Sequence, residues 1–315
     1  AKAPKGGQTF GGEFGKEEVR LRLKDLPEHA MLRVSFTLLI LRSWDGNHRQ
    51  WGPDTWRVGL GGGPTLLNTS FGYDAVSARQ SYPDAYPLGK HPMETGAVRT
   101  DALGFTFGSN NVPGDATYEM EFIVPHRRRQ VEIVWAATGN LLRIEDESWG
   151  LDDVRVAVLA RAAPTDARER KRLWDALAAG DPVDANRAKW ALVAAGAPAA
   201  AFLREKLGRA EANLDAAAAR RLIARLDADD WRQRAAATRK LVAFGPALEP
   251  ALRLAAHRSG SAEVRTRADW IIAQWTRDRQ EVQDLRRARA LQALDILTWP
   301  DGQALLDAPE APADE

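Results

Sequence analysis

Carboxylates crowd one short stretch of the chain: Glu145, Asp146 and Glu147, followed by Asp152 and Asp153. Carboxylate oxygens gathered by loops that a sheet holds still are the donor set of calcium, which takes about six to eight oxygens. The candidate ligands are Asp152, Asp146 and Glu147, with Glu13 near the first strand and Asp45, close to Asn47 in the turn after Ile40, as distant donors. Alternation puts Asp152 on the strand face of Val154 and Val156, so its carboxylate is directed inward and needs a partner there. A cation is one such partner. Backbone amides or an arginine are the other, and the cluster is then a solvated acidic loop.

Aromatic rings suggest a second chemistry, because sugar rings stack on exposed Trp and Tyr in grooves whose polar groups fix orientation. Trp51, Tyr82 and Tyr86 are the candidate ligand-binding rings, whereas Trp44, Trp56 and Trp149 read as core. Glu119 and Glu121 share one strand face at a spacing of roughly 6–7 Å, which in principle suits glycoside hydrolysis. An exposed polar face explains the pair better, since the signature Glu-x-Asp-x-x-Glu is missing and nothing in the sequence gives either residue an acid's environment. No catalytic residue is assigned, and the chain is expected not to be an enzyme. The five histidines, His29, His48, His91, His126 and His257, lack His-x-His or His-Glu-x-x-His spacing, so they define no metal site. The run His126-Arg127-Arg128-Arg129 reads as a hairpin turn able to attract an acidic partner. Gly61-Gly62-Gly63 lacks the Gly-Lys-Ser/Thr of a phosphate cradle, and no organic cofactor is expected.

The whole chain narrows the classes further. Its 315 residues carry 44 Lys plus Arg against 43 Asp plus Glu, so no overall field draws it to nucleic acid. The absence of Cys removes disulfides, thiolate catalysis and Cys-based zinc sites. No run approaches the ~18 apolar residues of a membrane span. The opening Ala1-Lys2-Ala3-Pro4 would suit a mature end left by a signal peptidase, which leads to the expectation of an exported, periplasmic or surface protein.

Composition changes near Ala160, from Gly-rich to Ala-rich. Before it, apolar residues alternate with polar ones, as in Val34, Phe36, Leu38 and Ile40, or Tyr118, Met120, Phe122 and Val124, between turns such as Asp45-Gly46-Asn47. That pattern predicts an antiparallel β-sandwich over 1–160. After a linker at 161–167 the period becomes 3.6, and helices are expected near 168–179, 182–195, 198–207, 215–226, 230–244, 246–257, 261–277 and 280–297. The run from Asp181 to Gly196 is echoed from Asp230 to Gly245, which predicts a stacked helical solenoid over 168–307, with a frayed tail at 308–315.

Asp229-Asp230-Trp231-Arg232-Gln233-Arg234-Ala235-Ala236-Ala237, with Leu241, Phe244-Gly245, Ala247, Pro250 and Leu252 behind it, resembles a HEAT repeat. Ser261-Ala262-Glu263-Val264-Arg265 is similar to the opening of another. The resemblance implies a docking scaffold in which Asp230, Arg234 and Arg265 hold successive turns in register. In the first half, Ser43-Trp44-Asp45-Gly46 and Asp146-Glu147-Ser148-Trp149-Gly150-Leu151-Asp152-Asp153-Val154 are similar to jelly-roll surface modules of the concanavalin, laminin-G and MAM-like group. That resemblance implies a jelly roll with calcium beside its last strand. The expected function is recognition without catalysis: the sandwich binds a glycan or a protein with a structural calcium, and the solenoid docks a partner protein. A structural subunit of a larger assembly and a carbohydrate-active enzyme are the alternatives.

Overall fold

The computed structural model describes residues 1–73, 79–139, 141, 143–207, 216–244, 261–278 and 282–299, with isolated positions between 248 and 259. The strands are β1 (Gly11–Phe14), β2 (Glu18–Leu23), β3 (Met31–Arg42), β4 (Thr55–Leu60), β5 (Thr65–Ser70), β6 (Arg99–Thr100), β7 (Thr106–Phe107), β8 (Val112–Pro113), β9 (Asp115–Pro125), β10 (Val131–Ala137) and β11 (Glu147–Leu159). They form a five-stranded sheet in the order β1-β11-β3-β9-β6, a four-stranded sheet β2-β10-β4-β5 and a small β7-β8 ribbon. The pairings between these strands are antiparallel.

Alternation decides which side chains lie between the two larger sheets. Phe36 of β3 meets Trp56 of β4 and, edge-on, Trp135 of β10, while Trp56 meets Trp149 of β11. Large rings bury the most apolar area per ordered residue, and edge-to-face contacts fix their orientation. Two of the buried indoles are also tied by hydrogen bonds: Trp44 Nε1 donates to Ser148 O at 2.9 Å and Trp149 Nε1 to Gly15 O at 2.8 Å.

β11 departs from simple alternation. Its pairing with β3 shifts register between Asp152 and Arg155, where Asp153 has φ 50°. A bulge of this kind changes which face the following residues present. Val154 is therefore exposed, and the inward face expected to hold Asp152, Val154 and Val156 together is not formed.

Asp115, fully buried at the start of β9, organises the preceding loop. Its two carboxylate oxygens accept the amides of Ala102, Leu103, Gly104 and Phe105 at 2.8–3.2 Å. Asp115→Ala strands four amides at once. It is expected to cost about 3 kcal/mol or more in urea unfolding, from typical penalties for buried groups that lose a charged partner; a loss under about 1 kcal/mol would contradict this account of the loop.

The helical half corrects the sequence reading. Its helices are α1 (Ala167–Ala176), α2 (Pro182–Ala194), α3 (Ala197–Leu207), α4 (Ala216–Ala224), α5 (Trp231–Phe244), α6 (Ala262–Asp278) and α7 (Val282–Thr298), with a 3₁₀ turn at Arg225–Asp227. Among the described residues they do not stack into one solenoid over 168–307. Two compact units divide the chain instead, Ala1–Leu203 with Ala288–Glu315 in one and Arg204–Arg287 in the other. The first unit absorbs α1 and α2 together with most of α3 and of α7. Trp190 of α2 meets the ring of Phe122 on β9 edge-on at 4.7 Å, and Arg289 of α7 reaches Asp84 in the loop after β5. Apolar stripes expected to face neighbouring helices are thus used on the sandwich, which ends the solenoid pattern. The second unit closes its own core with Leu222, Leu226, Leu241, Leu252 and Ile271.

Helix starts follow ordinary capping. Asp166 accepts from Glu169 N at 2.7 Å, and Asp181 accepts from Val183 N at 2.7 Å with Pro182 opening α2. In the second unit Asp230 accepts from the amide of Arg232, and Arg234 pairs with Glu263 of α6. Arg265 donates to Ser259 O. These are local caps and one α5–α6 bridge, not a repeating register device. Gly245, Ala247, Pro250, His257, most of the expected helix 246–257 and the tail 308–315 lie outside the described residues. Among the described residues, no helix is long and apolar enough to cross a membrane.

Candidate metal centre

Three carboxylates converge at one end of the sandwich. Asp45 follows β3, Asp54 immediately precedes β4, and Glu147 opens β11; one carboxylate oxygen from each lies within 4.8 Å of the other two. The strands force this meeting, because Glu147 pairs with Arg42 at the end of β3. The segment between the two aspartates then closes on itself. Asp54 N donates to Gly46 O at 3.0 Å, and Asp45 N donates to Asp54 Oδ2. Gly46 has φ 59°, and a Cβ there would collide with the carbonyl of Arg79, so the turn needs glycine.

Burial makes this cluster unlike a surface acidic patch. Asp54 and Glu147 are buried and Asp45 is half-buried. Asp54 Oδ1 is sealed from solvent and has no hydrogen-bond partner. A buried carboxylate with one oxygen unpartnered among acidic neighbours is costly, which favours a proton or a cation there. Burial pushes the Asp54 carboxyl up to about 8; the Asp45 amide opposes this, and the neighbouring charges of Glu147, Asp45 and Asp146 add to it. The donor set is all oxygen, which suits a hard divalent cation such as calcium. Asp45, Asp54 and Glu147 are the residues that would hold it.

The structure separates the carboxylates proposed from sequence. Asp45 and Glu147 belong to the cluster. Asp146 is adjacent, contributes to its charge and accepts from Ser43 Oγ at 2.8 Å. Glu13 is engaged elsewhere, in an ion pair with Arg42 and a 3.1 Å hydrogen bond from Ser148 Oγ. Asp152 accepts from Gln8 Nε2 at 2.8 Å and from Asp153 N at 2.9 Å, the backbone-satisfied alternative with a glutamine added. Asp153 is exposed and pairs with Arg155. Asn47 anchors a loop: its amide donates to Gly89 O, and its oxygen accepts from Ser70 and Ser81. Asp54 was missed. Its only sequence signal is its place between Pro53 and the strand that opens at Thr55.

The aromatic candidates divide in the same way. Tyr82 is buried against Phe71 and Tyr118, and burial pushes its hydroxyl up to about 12. Tyr86 is half-buried. Trp51 is 55% exposed, at the tip of the segment that Asp45 and Asp54 close. Its ring stacks on His48 at 4.6 Å and 12°, while His48 Nδ1 accepts the amides of Gln50 and Trp51 at 3.2 Å. Trp44, Trp56 and Trp149 are fully buried. Of the remaining histidines, His29 and His126 form a buried stacked pair and His91 is bound to Asp84.

Comparison with protein-family models, with curated proteins and with solved structures finds no match to this chain.

Proposed function

We propose that the protein is a non-catalytic recognition module in which a divalent cation, calcium by its donor chemistry, fastens the 45–54 segment so that Trp51 is presented to a glycan. The observation that carries this reading is the buried, unpartnered Asp54 Oδ1 at the point where the segment closes. The cation would supply positive charge beside the unpartnered Asp54 oxygen. The chain does the rest: Asp45 N on Asp54 closes the base, and His48 orders the tip by accepting two amides. An exposed indole stacked on an imidazole is a ring of the kind on which sugars stack. An exported protein would meet the calcium concentrations at which weak extracellular sites fill.

The test is a glycan array probed with the labelled full chain in millimolar calcium and in chelator. Binding is expected in calcium and not in chelator. Trp51→Ala should abolish it while shifting the melting temperature by less than about 2 °C, because an exposed ring contributes little to the core. Binding that survives Trp51→Ala, or that ignores calcium, would refute the proposal.

A further inference from the structure

The two larger sheets end in four edge strands, and one of them is built unlike the rest. β6 has two residues, and β1 has four with a register shift. The outer side of β5 is covered by the loop behind it, where Tyr82 N donates to Ser70 O at 3.2 Å and Tyr86 N to Asn68 O at 2.8 Å. β2 instead runs for six residues in unbroken register with β10 and ends the four-stranded sheet. Open edges are commonly shortened, bulged, interrupted by proline or guarded by an inward-pointing charge. β2 carries none of these devices. Its inward residues are Val19, Leu21 and Leu23, half-buried at the margin of the core.

The ladder shows which backbone groups this edge leaves open. Gly61 N, just past β4, donates to Glu132 O at 2.7 Å, so the backbone groups of Glu132 face β4. Arg22 stands opposite Glu132, and in an antiparallel ladder it then turns its own N–H and C=O away from β10. Arg20 and Glu18 do the same by alternation. Among the described residues, no hydrogen bond reaches the backbone of these three from the open side. Their side chains form a row with an acid at one end and a base at the other, Glu18, Arg20 and Arg22. None of these groups belongs to the carboxylate cluster.

We infer that β2 pairs antiparallel with β2 of a second copy of this chain, about a two-fold axis at Arg20. A strand with acid first and base last on one face is its own complement when it is reversed. Glu18 then stands opposite Arg22 of the second copy at both ends of the pair, and such cross-strand opposite charges stabilise a sheet. The same register sets each outward N–H against an outward C=O and lays Val19 against Leu21 of the second copy. The two Arg20 side chains meet at the axis, each already held by Glu18 and Glu132 of its own chain. The contact is isologous and closes at two copies.

Sedimentation velocity of the full chain tests this. Raising the concentration from about 5 to about 200 µM should carry it from monomer to dimer. Arg20→Pro removes an outward donor without breaking a bond to β10, and should weaken association about tenfold or more. Glu18→Arg, by setting like charges opposite each other at both ends, should weaken it similarly, and so should Arg22→Glu. Mixed in equal amounts, these last two variants should associate again, because each end then joins an acid to a base. Their positions are exposed, so melting curves close to the parent's are expected. A parent that stays monomeric at about 200 µM would leave the edge to a strand of another protein and overturn the inference. Unchanged association of a folded Arg20→Pro, or a mixture of the two charge variants that stays monomeric, would overturn it as well.

Discussion

Arg289→Ala is expected to be among the most damaging single substitutions in the sandwich unit, costing about 3–5 kcal/mol by the behaviour of broken buried ion pairs. Arg289 Nε and Nη2 donate to the two oxygens of Asp84 at 2.6 and 2.7 Å, and Nη1 donates to Leu177 O at 2.6 Å. Both partners are almost wholly buried, and His91 Nε2 completes the carboxylate at 2.8 Å. Truncation leaves Asp84 charged and enclosed beside Lys189, which cannot replace a two-pronged donor. A fall in melting temperature of about 10 °C or more should follow. A melting curve within about 2 °C of the parent would remove the clamp from the account. The pair Asp84→Asn with Arg289→Met should recover much of the loss, because the energetic penalty lies in the orphaned charge.

The same network sets a pH dependence. Burial alone would raise the Asp84 carboxyl, but the hydrogen bonds from His91 and Arg289 outweigh it and bring the group down to about 2. Its stabilising contribution is present above the ordinary carboxylate range and is lost as pH falls through about 2. Burial brings Lys189 down to about 8, with Asp84 opposing the shift and Arg289 adding to it. Between about 8 and the ordinary lysine value the folded chain has shed a proton that the unfolded chain keeps, so this group's contribution rises with pH there. Urea midpoints taken across both windows check the two signs.

Calcium is expected to raise the melting temperature of the full chain by about 5–10 °C at 100 times its dissociation constant, corresponding to about 2.7 kcal/mol. Asp54→Asn should remove that response. In chelator the same variant should be at least as stable as the parent, since it exchanges an enclosed carboxyl for a neutral amide of the same shape. Without a cation, Asp54 keeps its proton up to about 8 in the fold, whereas the unfolded carboxyl ionises near its ordinary value. Its contribution is therefore full below about pH 4 and declines as pH rises toward 8. Calcium should abolish that decline and release protons on binding. An unaltered calcium response in Asp54→Asn, or a magnesium response of equal size, would remove the assignment.

Much of the sandwich was legible because alternation reports burial directly: Val34, Phe36 and Leu38 of β3 and Tyr118, Met120 and Phe122 of β9 are all buried. The candidate site was legible in part. Asp45 and Glu147 lie where turn and strand signals place acids, but Asp54 joins them through a fold-back that leaves no periodic trace. Asp152 misled because a bulge interrupts the alternation on which its direction was inferred. The helices were visible from their period and caps, whereas their partners were not. An apolar stripe states that something covers it without stating what, and Trp190 and Arg289 found sheet and loop where repeated motifs suggested more helix.

The clamp joins residues separated by 205 positions along the chain. During synthesis, the loop around Asp84 leaves the ribosome long before its counter-ion exists. Until α7 arrives, the growing sandwich carries a carboxylate that cannot be enclosed without penalty, so its final closure waits for that helix. A chain cut before Arg289 would leave the enclosed Asp84 without its two-pronged partner.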